Sequence, residues 1–106
     1  MINQVILVGN VTKDLELKEI NGNKLVNFRI AVNDRRDDNN TLFITITAFG
    51  KLAELANEFL NKGKKVGVVG RLQIRNKDEK QYTEVVAEKL EFLSPPENVK
   101  PHDFME

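Results

Sequence analysis

Thr41-Leu42-Phe43-Ile44-Thr45-Ile46-Thr47-Ala48-Phe49 alternates too regularly to be anything but a β-strand. Successive side chains of a strand leave on opposite faces, so Leu42, Ile44, Ile46 and Ala48 predict a core face. The other face carries Thr41, Phe43, Thr45, Thr47 and Phe49. Threonine tolerates water, and two phenylalanines among threonines call for a cover: a loop, a partner subunit, or a ligand with flat apolar faces such as the bases of a nucleic acid.

On either side of this stretch the chain reads as more strand. Gln4 to Val11 is apolar at nearly every position, which predicts a strand buried on both faces, or one with half its surface in a subunit interface. Leu15 and Leu17 alternate with Glu16 and Lys18 in a short strand, and Asn21-Gly22-Asn23 supplies the positive φ of a tight hairpin turn. Leu25 to Asn33 sends Val26, Phe28, Ile30 and Val32 inward and Asn27, Arg29, Ala31 and Asn33 outward. A polar loop, Asp34 to Asn40, leads into Thr41.

Leu52, Leu55, Ala56, Phe59 and Leu60 fall on one face of a helix of about three turns, with Gly50 as its N-cap and Gly63 as its C′ residue. Val66 to Asn76 returns to strand, with Val66, Val68, Leu72 and Ile74 inward and Val69, Arg71, Gln73 and Arg75 outward. Gly67 and Gly70 mark a bulge or a bend there. Asn76 to Lys80 is a second polar hairpin tip, and Tyr82 to Leu93 is the last strand, whose irregular alternation leaves its faces unassigned. Residues 94–106, with Pro95, Pro96 and Pro101, predict a weakly ordered tail after a single domain over residues 1–93. Strands in this order, with one helix between the third and fourth long strands, predict an all-β five-stranded Greek-key barrel of the oligonucleotide-binding (OB) type.

The 106 residues include no cysteine, which excludes disulfide frameworks and thiolate chemistry. Sixteen basic side chains balance sixteen acidic ones, so any electrostatic footprint must be local. The N-terminus lacks the pattern of a signal peptide or membrane span, which predicts a soluble cytoplasmic protein, nucleoid-associated on the family resemblance given below. The lysines are scattered. All five arginines lie on outward strand positions or in the first polar loop: Arg29, Arg35, Arg36, Arg71 and Arg75. A planar guanidinium pairs with phosphate and stacks on bases, so this placement beside Phe43 and Phe49 favours single-stranded nucleic acid. The bland alternative is that the arginines pair with Asp34, Asp37 and Asp38.

Enzyme chemistry is poorly supplied. His102 and Ser94, each the only one of its kind, lie in or beside the tail, so no Ser-His relay or histidine metal cluster forms on the domain. Asp37-Asp38 sits among arginines, and Gly67-Val-Val-Gly70 lacks the lysine and helix of a phosphate loop. The expectation is a binding protein with no cofactor and no metal.

Asn3-Gln-Val-Ile-Leu-Val-Gly-Asn10, Thr12-Lys-Asp14, Phe49-Gly-Lys-Leu-Ala-Glu54, Lys62-Gly63, Gly70-Arg-Leu72 and Thr83-Glu-Val-Val86 together resemble the bacterial single-stranded DNA-binding protein family, in register over roughly residues 1–93. The resemblance implies a five-stranded OB-fold that assembles as a homotetramer, or at least a dimer. It also implies binding of single-stranded DNA without sequence preference in replication, recombination and repair. It carries base stacking onto Phe43 and Phe49. Where the family has an aromatic in the loop after the second long strand this chain has Arg35-Arg36, with Arg36 a partial substitute for the ring, and at the next hairpin tip it has Asn76-Lys77. Arg29, Arg35, Arg71, Arg75 and Lys77 are the expected phosphate contacts. Gln4, Val5, Ile6, Leu7 and Val8 are the expected subunit interface. The sequence stops at Pro101-His-Asp-Phe-Met-Glu106, without the acidic tip through which members recruit replication and recombination proteins, which implies either a truncated chain or a short version of the family. The competing reading is a barrel that bridges proteins of a replication complex, distinguished by loss of exposed aromatics from its sheet face.

Overall fold

The computed structural model describes residues 1–33, 36 and 40–94. The elements run β1 (Val5–Val11), β2 (Leu17–Ile20), β3 (Asn23–Asn33), β4 (Thr41–Phe49), α1 (Gly50–Phe59), β5 (Lys65–Lys77) and β6 (Lys80–Phe92). Hydrogen bonding orders the sheet β1-β5-β6-β4-β3-β2, and β1 pairs with β3 as well as β5, which closes five strands into a ring. The short β2 stays outside that ring, on β3. This is the expected OB-type barrel, with its one helix between β4 and β5.

The barrel closes because β1 bends from β5 onto β3, where Asn10 and Val11 meet Ala31 and Ile30. Gly9 sits at the crossover: a Cβ there would lie 2.6 Å from the carbonyl oxygen of Ala31, closer than any side chain tolerates. Val26, Phe28, Ile30, Ile46, Ala48, Val66 and Val68 fill the interior, and α1 caps it with Ala53 and Ala56. Leu60, just past the helix, is buried as well. Phe59 is half-exposed and leans on Phe92, ring centroids 5.4 Å apart.

Several motif residues are structural. Asp14 Oδ1 accepts the Lys62 N–H at 2.8 Å, and the Gly63 N–H reaches Val11 O at 2.8 Å, fastening the turn after α1 to the end of β1. Gly63 therefore serves that turn at φ +92°; it is not the C′ residue expected from sequence, because the helix ends at Phe59 with Leu60 as its C-cap. Gly50 likewise is not the N-cap but takes φ +60° directly after Phe49, which holds that position. Asn3 brackets Leu72 with its side-chain amide, donating to Leu72 O at 3.0 Å and accepting from Leu72 N at 2.9 Å, as another strand would.

The second polar tip shrinks to a two-residue turn, Asp78 (φ +52°) and Glu79 (φ +64°), the same type as Asn21-Gly22. Above it β5 and β6 form an arm that leaves the barrel. β1 pairs with β5 only as far as Gly70, and β4 meets β6 only at Val85 and Val86. Leu72 and Ile74 are consequently exposed, contrary to the inward placement their alternation predicts: the pattern continues, but there is no core above them. Leu42 is exposed for the same reason at the far end of β4, whose first residues pair with β3 alone. Among the described residues no helix is long and apolar enough to cross a membrane.

Candidate nucleic-acid interface

Phe43 and Phe49 are 60% and 51% exposed on the outer face of β4. Pairing with β3 sets their neighbours: Ala31 beside Phe43, Arg29 beside Thr45, Asn27 beside Thr47 and Leu25 beside Phe49. β2 adds Lys18 opposite Leu25. The two rings thus bound a shallow polar strip carrying Arg29, with an open groove of about 420 Å³ alongside, lined in part by Lys13, Lys18, Asn27, Arg29 and Thr45. Next to Phe49, between the β2–β3 turn and the start of α1, lies a second groove lined by Ile20, Leu25, Lys24, Lys51 and Glu54 among others. Lys24 pairs with Glu54, and that hydrogen bond raises the lysine above its ordinary pKa and holds the carboxyl below the usual carboxylate range.

Thr47 departs from the expected exposed pattern. It is buried where β6 pairs alongside β4, and the Glu84 side chain from that neighbouring strand lies on its hydroxyl. Thr47 Oγ1 donates to Glu84 Oε2 at 2.7 Å and lies 2.8 Å from the Asn27 amide. Glu84, also buried, receives Arg75 Nε at 3.0 Å and Gln73 Nε2 at 3.4 Å on its other oxygen. A buried carboxylate is tolerated only when paired in this way.

The strand arginines therefore differ from one another. Arg71 lies 3.8 Å from Glu88 and Arg75 is bound to Glu84, while none of the ion pairs among the described residues involves Arg29. Carboxylates of β6 pair with Arg71 and Arg75; they escaped sequence analysis because an extra residue, Glu88, bulges between Lys89 and Ala87 opposite Val69 and Gly70 and breaks the alternation of β6. Lys77 is exposed at the arm's tip, opposite Lys80, and Arg36 is exposed between β3 and β4. Arg35, Asp34, Asp37 and Asp38 lie outside the described residues.

One aromatic that sequence reading left unassigned joins this side of the molecule. Tyr82, 49% exposed, pairs directly with Arg75 across the arm.

On the opposite wall of the barrel β1 divides its apolar run. Val5 and Leu7 pack on the core, whereas Ile6 and Val8 are 69% and 50% exposed and Gln4 is exposed beside them. Among the described residues no group of three His, Asp or Glu side chains converges as a metal site would require.

Comparison with known proteins places this architecture. The chain is 41% identical to "Single-stranded DNA-binding protein 1" of Clostridium acetobutylicum over 103 residues, covering 87% of this chain and 94% of that protein. It is 40% identical to "Single-stranded DNA-binding protein 2" of Staphylococcus aureus over 110 residues, 94% of this chain and 79% of the relative. Among solved structures, a deletion mutant of the single-stranded DNA binding protein from Thermus aquaticus superposes with a TM-score of 0.76 at 38% identity, covering 94% of this chain. This chain spans 44% of that longer one. The profile of the single-strand binding protein family matches residues 2–93, nearly the whole described barrel, and the chain belongs to that family.

Proposed function

We propose that this protein binds single-stranded DNA without sequence preference, through base stacking on Phe43 and Phe49 and phosphate contacts from Arg29 and neighbouring cations. The observation that carries the reading is the pair of exposed rings on one sheet face, with cations between and around them and no cover from the chain's own described residues. Every base has a π-face, so a stacking platform is indifferent to sequence, while a duplex keeps its bases stacked on one another and offers the rings nothing. The relatives' names agree with this ligand. A protein-bridging module would be expected to have lost the exposed rings, and this sheet retains them.

Protection of single strands during replication, recombination and repair is the corresponding cellular role, performed without catalysis. Ile6 and Val8 form the outward half of β1 and, with Gln4 just before the strand, the surface through which we infer that subunits pair, as a dimer or tetramer. Leaving a contiguous apolar face in water is costly, and a second copy is its economical cover.

Titrating a labelled oligo(dT) and a mixed-sequence strand of equal length, against a duplex control, tests the reading by fluorescence anisotropy. Similar affinity for both strands and much weaker binding to duplex is expected. Equal binding to duplex, or none to the strands, would remove it.

A further inference from the structure

Asn21 is the chain's one asparagine followed directly by glycine. The pair forms the two-residue turn between β2 and β3, closed by Ile20 opposite Asn23, with Asn21 at φ +51° and Gly22 at φ +81°. Both residues are exposed, and a Cβ on Gly22 would find no atom within 4 Å. No hydrogen bond among the described residues engages the Asn21 side chain or the Gly22 N–H. Other asparagines are held: Asn3 is bonded at both ends of its amide to Leu72, Asn27 lies against Thr47, and Asn33 accepts from Thr41 Oγ1 at 3.2 Å. Asn21 alone combines an unpaired amide with a following N–H that is unpaired and carries no side chain beside it.

We propose that Asn21 is a site of spontaneous deamidation, which places a carboxylate on the lip of the groove beside Phe49. Hydroxide takes the Gly22 N–H proton, and the nitrogen attacks Asn21 Cγ. The N–Cγ bond forms as the Cγ–Nδ2 bond breaks, and ammonia leaves with a proton from water, which restores the hydroxide. Water then opens the cyclic succinimide. Cleavage of the N–Cγ bond leaves aspartate; cleavage between that nitrogen and the Asn21 carbonyl carbon leaves isoaspartate, whose backbone runs through Cβ and Cγ. Water is consumed and ammonia released, with no oxidation or reduction. Asparagine is among the thermolabile residues, and here glycine removes the side chain that would crowd the attack.

Asn21, Gly22, Lys24, Phe49, Lys51 and Glu54 share a groove of about 660 Å³. Aspartate suits this turn as well as asparagine does, so the barrel survives the exchange. What changes is charge. A carboxylate joins Glu54 beside Lys24 and Lys51, and it repels the phosphates of a strand lying on Phe49 over a range of about 10 Å at moderate salt. Isoaspartate adds a backbone atom to the turn and loosens β2, which pairs with β3 alone. The reaction is independent of the DNA-binding reading above; its effect on affinity rests on that reading.

Trypsin cuts after Lys18 and Lys24, isolating residues 19–24 with Asn21 inside. Wild-type protein held at mildly alkaline pH should convert Asn21 before any other asparagine, at a rate proportional to hydroxide. Mass spectrometry of that fragment resolves both acids, and methyltransferase labelling counts the isoaspartate. Asn21→Gly, which keeps a permissive turn, should release no ammonia from this site and bind oligo(dT) as wild type does. Asn21→Asp should fold normally and bind roughly two- to fivefold more weakly at low salt, the difference closing at high salt. An Asn21 that stays intact while a synthetic peptide of residues 19–24 is consumed would overturn the site, as would earlier conversion of another asparagine. Wild-type affinity of Asn21→Asp at low salt would overturn its effect on the groove. If wild type itself bound no strand, the DNA-binding reading would fall, and the mass spectra would still decide the deamidation.

Discussion

Arg75 Nε donates to Glu84 Oε1 at 3.0 Å, tying an exposed cation to a carboxylate that the arm has sealed against β4. The pair makes Arg75 and Arg29 respond differently to the same substitution. Arg75→Ala strips a donor from a buried acceptor and should destabilise the fold by about 1–3 kcal/mol. Its charge is already offset, so the slope of log affinity against log salt should change little. Arg29→Ala should spare stability and lower that slope by about 0.7, the share of one phosphate on a single strand. Urea melts and a salt series of anisotropy titrations measure both; equal slope losses would mean that Arg75 abandons Glu84 when DNA binds.

Phe43→Ala and Phe49→Ala should separate binding from folding. Both rings are more than half exposed, so truncation removes little core, and melting temperatures should stay near wild type. Each should cost roughly 1–3 kcal/mol of affinity at constant salt slope, because stacking displaces no counterions from phosphate. Variants that unfold would show the rings to be structural, and variants that fold and bind normally would move the contact elsewhere on the sheet.

How much of this site could be read from sequence follows from what period-two patterning encodes. A side chain's face is local information, so the outward placement of Phe43, Phe49 and Arg29 was legible before the fold was. Whether anything stands over that face is not local. Thr47 is buried beside β6 with Glu84 on its hydroxyl and Leu72 stands clear of the core, yet both have neighbours in sequence that predict the reverse. The barrel itself was legible because its core positions, Val26 to Ile30 and Ile46 to Ala48, alternate cleanly where strands have neighbours on both edges. Tyr82 and Glu84 were hidden by one inserted residue, Glu88, which shifts the phase of β6 and so its apparent faces.

The two sides of β1 should respond oppositely to charge. Ile6 and Val8 are exposed in the isolated chain, so Ile6→Glu or Val8→Glu should leave the barrel folded while shifting the assembly toward monomer. Leu7 packs on the core, and Leu7→Glu would bury an unpaired carboxylate and unfold it. Light scattering and circular dichroism on the same samples distinguish the cases. A wild-type protein that is monomeric at micromolar concentration, or an Ile6→Glu variant that keeps wild-type mass, would contradict the proposed interface.

Gly70 and Gly67 look equivalent in Gly67-Val-Val-Gly70, but their surroundings differ. A Cβ on Gly70 would stand 2.2 Å from the carbonyl oxygen of Val86, where the β6 bulge pulls one backbone over the other. Backbone cannot rotate out of the way as a side chain does, so Gly70→Ala should cost about 3 kcal/mol or distort the root of the arm. At Gly67 the nearest atoms would be side-chain carbons of Glu91 and Leu93 at 3.5 Å, an ordinary contact. Glycine is a poor strand residue, so Gly67→Ala should be neutral or stabilise the monomer by about 0.5 kcal/mol. Gly67 also pairs with Val8, on the outward side that Ile6 and Val8 share. If that side is the subunit interface, the added methyl should shift the assembly equilibrium seen by light scattering even though the urea midpoint of a monomeric Val8→Glu background is unharmed. A Gly70→Ala protein as stable as wild type would show that the arm's root can relax, and the fixed arm on which Tyr82, Arg75 and Glu84 depend would lose its structural basis.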